Sequence, residues 1–235
     1  MLTIELAGYA IGLNCRYDFL PRLCGNYGTD RPAEWTVQAD EQDLARENPQ
    51  GEPYTAGYLE SLAIYRKICE RLIREDVILF HGSALEMDGR GYLFTAPSGT
   101  GKSTHAALWR QVFGERVTMI NDDKPLLKIS PTGVTVYGTP WAGKSNLQHN
   151  ISAPVAGIVF LYQAPENTIR PMDEREAYPR LLSQTHRVRD PHGLLHTLDL
   201  VGQLSRLPVY ELGCTPTPEA ALLACRTLNR KEIET

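Results

Sequence analysis

The sequence predicts a mixed α/β fold. Three observations carry that reading: amphipathic helical periodicity alternates with short apolar strands, turn signals join several strands as hairpins, and a Gly-rich segment stands between a strand and a helix. The strict strand–helix alternation of a doubly wound parallel sheet is missing. With 42% hydrophobic and 22% charged residues, the 235-residue chain can fill one large domain, or one main domain with a small appendage.

In residues 1–50, the short alternating pieces Leu2–Leu6 and Glu34–Val37 are broken by Gly, Pro, Asn and Asp, and read as a small β-rich N-terminal lobe. Glu47–Pro53, with two prolines and a glycine, reads as a linker, which places a second domain at 51–235. From Thr55 to about Arg74, Leu59, Leu62, Tyr65, Ile68 (or Cys69) and Leu72 recur at three- and four-residue steps, the mark of an amphipathic helix. A strand at Val77–Phe80 precedes His81-Gly82, and the dipeptide Asp88-Gly89 predicts a hairpin turn into the strand Gly91–Thr95. Ser103–Phe113 reads as a helix stopped by Gly114. Strands follow near Val117–Asn121, Leu126–Ile129, Val134–Tyr137 and Val155–Tyr162. Helices are expected near Glu174–Ser183, Gly193–Ser205 and Pro218–Arg230, with a strand Pro208–Leu212 before the last.

Composition narrows the function classes. A net charge of −4 offers no basic field for nucleic acid or anionic lipid. Five scattered cysteines without a CxxC pair argue against a zinc site and a disulfide framework. No basic segment followed by an apolar run opens the chain, and the longest apolar run, Val155–Tyr162, is far too short to span a bilayer. The expectation is a cytoplasmic protein with reduced thiols and neither nucleic-acid nor membrane partners; a homo-oligomer stays open. His192 and His196 stand one helical turn apart near Asp199, but no third ligand at convincing spacing completes a metal site.

Two segments compete for the phosphate-loop pattern G-x-x-x-x-G-K-[ST]. Gly138–Ser145 matches it literally, whereas Ala96–Ser103 matches only with alanine in place of the first glycine. A phosphate cradle needs backbone N–H groups turned inward and a helix whose positive N-terminal end faces the anion. Ala96–Ser103 follows an apolar strand and leads into a three-turn helix, and its Ser98-Gly99-Thr100-Gly101 core is small and permissive. Gly138–Ser145 contains Pro140 and Trp141, and is followed by a stretch too short and broken for a helix. The cradle is therefore assigned to Ser98, Gly99, Thr100, Gly101, Lys102, Ser103 and Thr104, with Lys102 on the β- and γ-phosphates and the Ser103 hydroxyl on Mg²⁺. Gly138–Ser145 is read as a wall of the same site, with Lys144 available to phosphate or substrate.

Nineteen residues after Ser103, a strand ends in Asn121-Asp122-Asp123-Lys124. A Mg²⁺–nucleotide site needs a carboxylate at a strand end beside the phosphate loop, and a kinase gains from a second one to accept the proton of the attacking hydroxyl. The spacing is read as bringing this strand back alongside the strand before the loop. Adjacent strand residues point to opposite faces, so both aspartates serve only if a turn begins at Asn121. Spacing leaves open which aspartate is the base; Asp122 is assigned to the metal with Ser103.

His81-Gly82 before a hairpin, then Ala96–Ser103, then Asp122-Asp123, resembles the catalytic domain of the HPr kinase/phosphorylase family, which shares its fold with phosphoenolpyruvate carboxykinase. The resemblance covers roughly residues 77–146, and residues 1–50 do not resemble that family's N-terminal domain. Gly138–Lys144 is similar to a segment of small bacterial HPr-kinase-like proteins often found beside peptide-modification genes. The resemblance implies that His81 lies in the active site and that one aspartate acts as base toward a serine hydroxyl. The expected function is an ATP- and Mg²⁺-dependent kinase. Its acceptor is a serine or threonine hydroxyl, free, in a peptide or on a protein. The alternative is an ATP-binding regulatory protein or an ATPase.

Overall fold

The computed structural model describes residues 2–143 and 145–229. Near the N-terminus, β1 (Leu2–Leu6) and β2 (Tyr9–Leu13) pair antiparallel, and β3 (Trp35–Val37) adds parallel to β2. Helices α1 (Phe19–Cys24) and α2 (Glu41–Glu47) complete this region. The sequence pattern does not predict α2, because only Leu44 of it is buried. A capping box between Asp40 and Asp43 holds its start. Arg66 and Lys67 of α3 (Ala56–Leu72) reach Asp43 at 2.9 and 2.7 Å. The apolar face of α3, with Ala63, Ile64, Ile68 and Leu72, packs on Ile4, Leu6, Ile11 and Leu13 of the small sheet and on Trp141.

The described residues also form a nine-stranded mixed sheet. Its strands are β4 (Val77–Leu79), β5 (Ser83–Met87), β6 (Arg90–Thr95), β7 (Val117–Asn121), β8 (Leu126–Ser130), β9 (Gly133–Tyr137), β10 (Ser152–Gln163), β11 (Thr168–Pro171) and β12 (Val209–Cys214). The spatial order is β4-β8-β9-β10-β6-β5-β7, with β12 parallel to the far half of β10 and β11 antiparallel to β12. The twelve-residue β10 changes partner along its length, from β9 at Ser152–Pro154 to β12 at Ile158–Gln163. Helices α4 (Lys102–Phe113) and α7 (Pro218–Leu228) lie on one face, and α5 (Glu174–Gln184) and α6 (Pro191–Leu204) on the other. The two-residue strand period sorts β10 between these layers: Ile158 and Phe160 join the α5/α6 core, Val159 and Leu161 the α4/α7 core.

The hairpin between β5 and β6 turns through Asp88 and Gly89, both at positive φ (54° and 77°), which matches the right-handed twist of the strands. The strand order departs from what the loop-to-aspartate spacing predicts. β7 does not lie beside β6: both of β6's edges are occupied, by β5 and β10, so β7 pairs with the outer edge of β5. Since both β6 and β7 run antiparallel to β5, their C-terminal ends still emerge at the same rim. Phe94 faces Ser83 and Asn121 faces Ala84. Among the described residues no helix is long and apolar enough to cross a membrane.

Candidate functional site

The chain leaves β6 at Thr95 and enters α4 at Lys102, so residues 96–101 form the strand-to-helix loop expected of a phosphate cradle. Gly99 and Gly101 adopt φ of 79° and 117°, conformations strained for any other residue. No side chain caps the start of α4 at Gly101, so the helix presents its first N–H groups and the positive end of its dipole to the loop. The Lys102 ammonium donates to Ala96 O at 2.8 Å and reaches Pro97 O at 3.5 Å. Partial burial draws its pKa down, against the opposing attraction of Asp123.

At the end of β7 the buried Asn121 turns the chain. Its Oδ1 accepts from the backbone N–H groups of Asp123 and Lys124 at 2.8 and 2.7 Å, an Asx turn. Its Nδ2 faces Thr139 O, Thr139 Oγ1 and Trp141 O, each at 3.1 Å. This turn releases the two aspartates from strand alternation, and both line one cleft of about 470 Å³. His81, Ser98, Gly99, Gly101, Lys102, Ser103 and Thr104 line the same cleft. Thr100 lies on the opposite side of the loop, where it lines a second cleft. Lys144 lies outside the described residues.

Asp122 is almost fully buried, and its Oδ1 accepts from Gly143 N at 2.7 Å. Asp123 Oδ1 lies 3.4 Å from His81 Nε2, and Asp123 Oδ2 3.7 Å from Lys124 Nζ. The hydrogen bond to His81 holds the Asp123 carboxyl below its ordinary value. Burial opposes that effect, and the charges of Lys124, His81 and Lys102 add to it. His81 is fixed from behind by Gln184, whose Oε1 stands 3.1 Å from His81 Nδ1. Gln184 arrives there because the segment after α5 pairs with the end of β4: His81 N donates to Gln184 O at 2.7 Å, and His186 N to Leu79 O at 3.0 Å. Neither Gln184 nor Asn121 is marked as functional by sequence pattern. Only the requirement for a turn before the aspartates points to Asn121.

The literal motif at 138–145 has no flanking helix and serves as a wall. Gly138 is demanded by the backbone, since a Cβ there would fall 2.0 Å from His149 O. Trp141 stacks on Tyr65 with ring centroids 4.1 Å apart and donates from Nε1 to Ser61 O at 3.1 Å, which anchors this wall to α3. Gly143 and Ser145 reach the cleft itself. His196, considered above for metal binding, bonds through Nε2 to Asp76 Oδ1 at 2.8 Å. No group of three or more His, Cys, Asp or Glu residues suited to a metal ion occurs among the described residues.

The family model described as SynChlorMet cassette protein ScmC matches residues 52–193, more than half of the chain. The chain belongs to the ScmC family. The ScmC match runs from just before α3 to the start of α6 and takes in His81, the loop 96–103, both aspartates and Gln184. No curated protein matches the chain. Among solved structures, the Hpr(Ser) kinase/phosphatase from Coxiella burnetii is similar over 66% of this chain and 89% of its own, with 15% identity and a TM-score of 0.38.

Proposed function

We propose that this chain is a cytoplasmic ATP-dependent kinase that passes the γ-phosphate to a hydroxyl group, either a serine or threonine of a peptide or protein, or free serine. The observation that carries the reading is the meeting of a Gly-rich strand-to-helix loop, two adjacent carboxylates and a histidine around one cleft. The motif order His81-Gly82, Ala96–Ser103, Asp122-Asp123 supports the same reading.

In this account the N–H groups from Ser98 to Thr104 and the Lys102 ammonium bind the phosphates. Ser103 and Asp122 present only oxygen donors, the set a hard divalent cation requires, so they fit Mg²⁺. When bound, the ion supplies neutralisation of phosphate charge. Asp123, an ionised carboxylate at neutral pH whose lowered pKa keeps it charged to more acid pH than an ordinary carboxylate, accepts the proton of the acceptor hydroxyl. His81, pinned by Gln184, orients that carboxylate. Lys144 belongs to the proposal as a further phosphate or substrate contact, and residues 1–50 as a separate N-terminal lobe.

Single-turnover transfer from γ-labelled ATP, offered free serine and Ser/Thr peptides, tests the reading. Asp123→Asn is expected to lower transfer by about 10²–10⁴-fold with little change in Mg²⁺-ATP affinity. Phosphate release at an unchanged rate without any acceptor would instead make the protein an ATPase, and ATP binding with no turnover would make it a regulatory binder.

A further inference from the structure

On the other side of the α4 N-terminus lies a second cleft of about 340 Å³, which shares Gly101 and Thr104 with the first. That size falls within the range of small-molecule sites, about 300–1,000 Å³. It opens at the C-terminal ends of the parallel strands β10 and β12, where open α/β sheets place their ligands. Leu108, Ala164, Cys214 and Pro216 give it apolar walls. The loops that follow β10 and β12 are tied together by Asn167, whose Oδ1 accepts from Thr215 N at 2.8 Å.

One polar group in this cleft lacks a partner. His105 is 2% exposed and lines the cavity. Its Nε2 receives the Trp109 indole N–H at 3.1 Å. An indole nitrogen only donates, so Nε2 must carry a lone pair, and in the neutral ring the proton sits on Nδ1. Nδ1 is buried and has no hydrogen-bond partner among the described residues. A buried N–H without an acceptor is costly to maintain unless something supplies the acceptor.

We infer that this second cleft takes the nucleoside end of the nucleotide, with the base against Leu108 and Pro216 and one of its ring nitrogens, or a ribose oxygen, accepting from His105 Nδ1. This rests on the phosphate-cradle reading: phosphates at 98–104 place the sugar at Gly101 and Thr104, the two residues common to both clefts. His105 thereby becomes a specificity residue for the nucleoside, and Cys214 a reporter at the mouth of its site.

The experiment compares Mg²⁺-ATP with Mg²⁺-tripolyphosphate, which carries the phosphates without the nucleoside. For the wild type, ATP is expected to bind about ten- to hundredfold more tightly than tripolyphosphate. Ala164→Trp, which fills the cleft from a surface loop, should abolish that advantage and leave tripolyphosphate binding intact. His105→Phe should weaken ATP about three- to tenfold and leave tripolyphosphate unchanged. Alkylation of Cys214 by N-ethylmaleimide, followed by peptide mapping on the unmodified fold, should be slowed by ATP and not by tripolyphosphate. Equal affinities for the two ligands and no protection of Cys214, while Lys102→Ala still weakens both, would overturn the nucleoside site and leave the cradle standing. Insensitivity of both ligands to Lys102→Ala would overturn the cradle and this inference with it.

Discussion

The backbone N–H of Gly143 donates to Asp122 Oδ1 at 2.7 Å, and a Cβ at Gly143 would lie 2.8 Å from Asp122 Oδ2. The glycine that completes a literal phosphate-loop motif is therefore the seat of a carboxylate. Gly143→Ala should push that carboxylate out of place and lower phosphoryl transfer by about tenfold or more. Stability should fall by about 1–3 kcal/mol from overpacking. Turnover and a urea melt on the same preparation check this; unchanged turnover would mean that Asp122 is not held there for chemistry.

His81 sets the titration of Asp123. The hydrogen bond from His81 is the largest cause lowering that carboxyl, and burial pushes the other way. In the wild type, transfer should thus persist as pH falls below the range where an ordinary carboxylate protonates, and be lost through the lowered pKa. His81→Ala removes the lowering contact and leaves the burial, so the acid limb of the pH–rate profile should move to higher pH. An acid limb that stays in place would remove His81 from the account. Gln184→Ala should move it in the same direction by less.

Asn121 carries the turn that presents both aspartates. Asn121→Ala leaves the N–H groups of Asp123 and Lys124 and the carbonyl of Thr139 without their partner, and takes from Trp141 O one of its two donors, the other being the Thr139 hydroxyl. The expected loss is on the order of 3 kcal/mol, as several buried polar groups lose a bond at about 1–3 kcal/mol each. Chemical denaturation measures it.

The contact between α2 and α3 is electrostatic. Burial would raise Asp43, but hydrogen bonds from Lys67 and Arg66 outweigh it and bring its pKa to about 2. A carboxyl lowered on folding stabilises the fold above its unfolded value, and that contribution disappears as pH falls through the folded one. Arg66→Met should therefore cost roughly 1.5–3 kcal/mol at neutral pH. The gap between variant and wild type should narrow as pH drops from about 4 toward 2. Thermal melts across that range test the sign.

Much of this site can be read along the chain because its chemistry is local. The loop 96–103 declares itself through small residues between a strand and a helix, and the Asp pair through its position at a strand end. The hairpin at Asp88-Gly89 is equally local, since two positive φ values ask for that dipeptide. Partners across long separations leave no such trace. Gln184 meets His81 across a sequence separation of 103, through backbone pairing that no residue pattern announces. The position of β7 depends on which edge of the hairpin is free, a property of the assembled sheet. Helix α2 escapes a periodicity reading because its hold on α3 is charge and not an apolar stripe.

The most direct test of the central claim is equilibrium binding of Mg²⁺-ATP to wild type, Lys102→Ala and Lys144→Ala. Removing a charge-assisted phosphate contact costs roughly 1.5–3 kcal/mol, or about one to two decades in affinity. Lys102→Ala is expected to show that loss, and Lys144→Ala, at most an auxiliary phosphate contact, a clearly smaller one. The reverse pattern would place the phosphates on Gly138–Ser145 and contradict the cradle at 96–103.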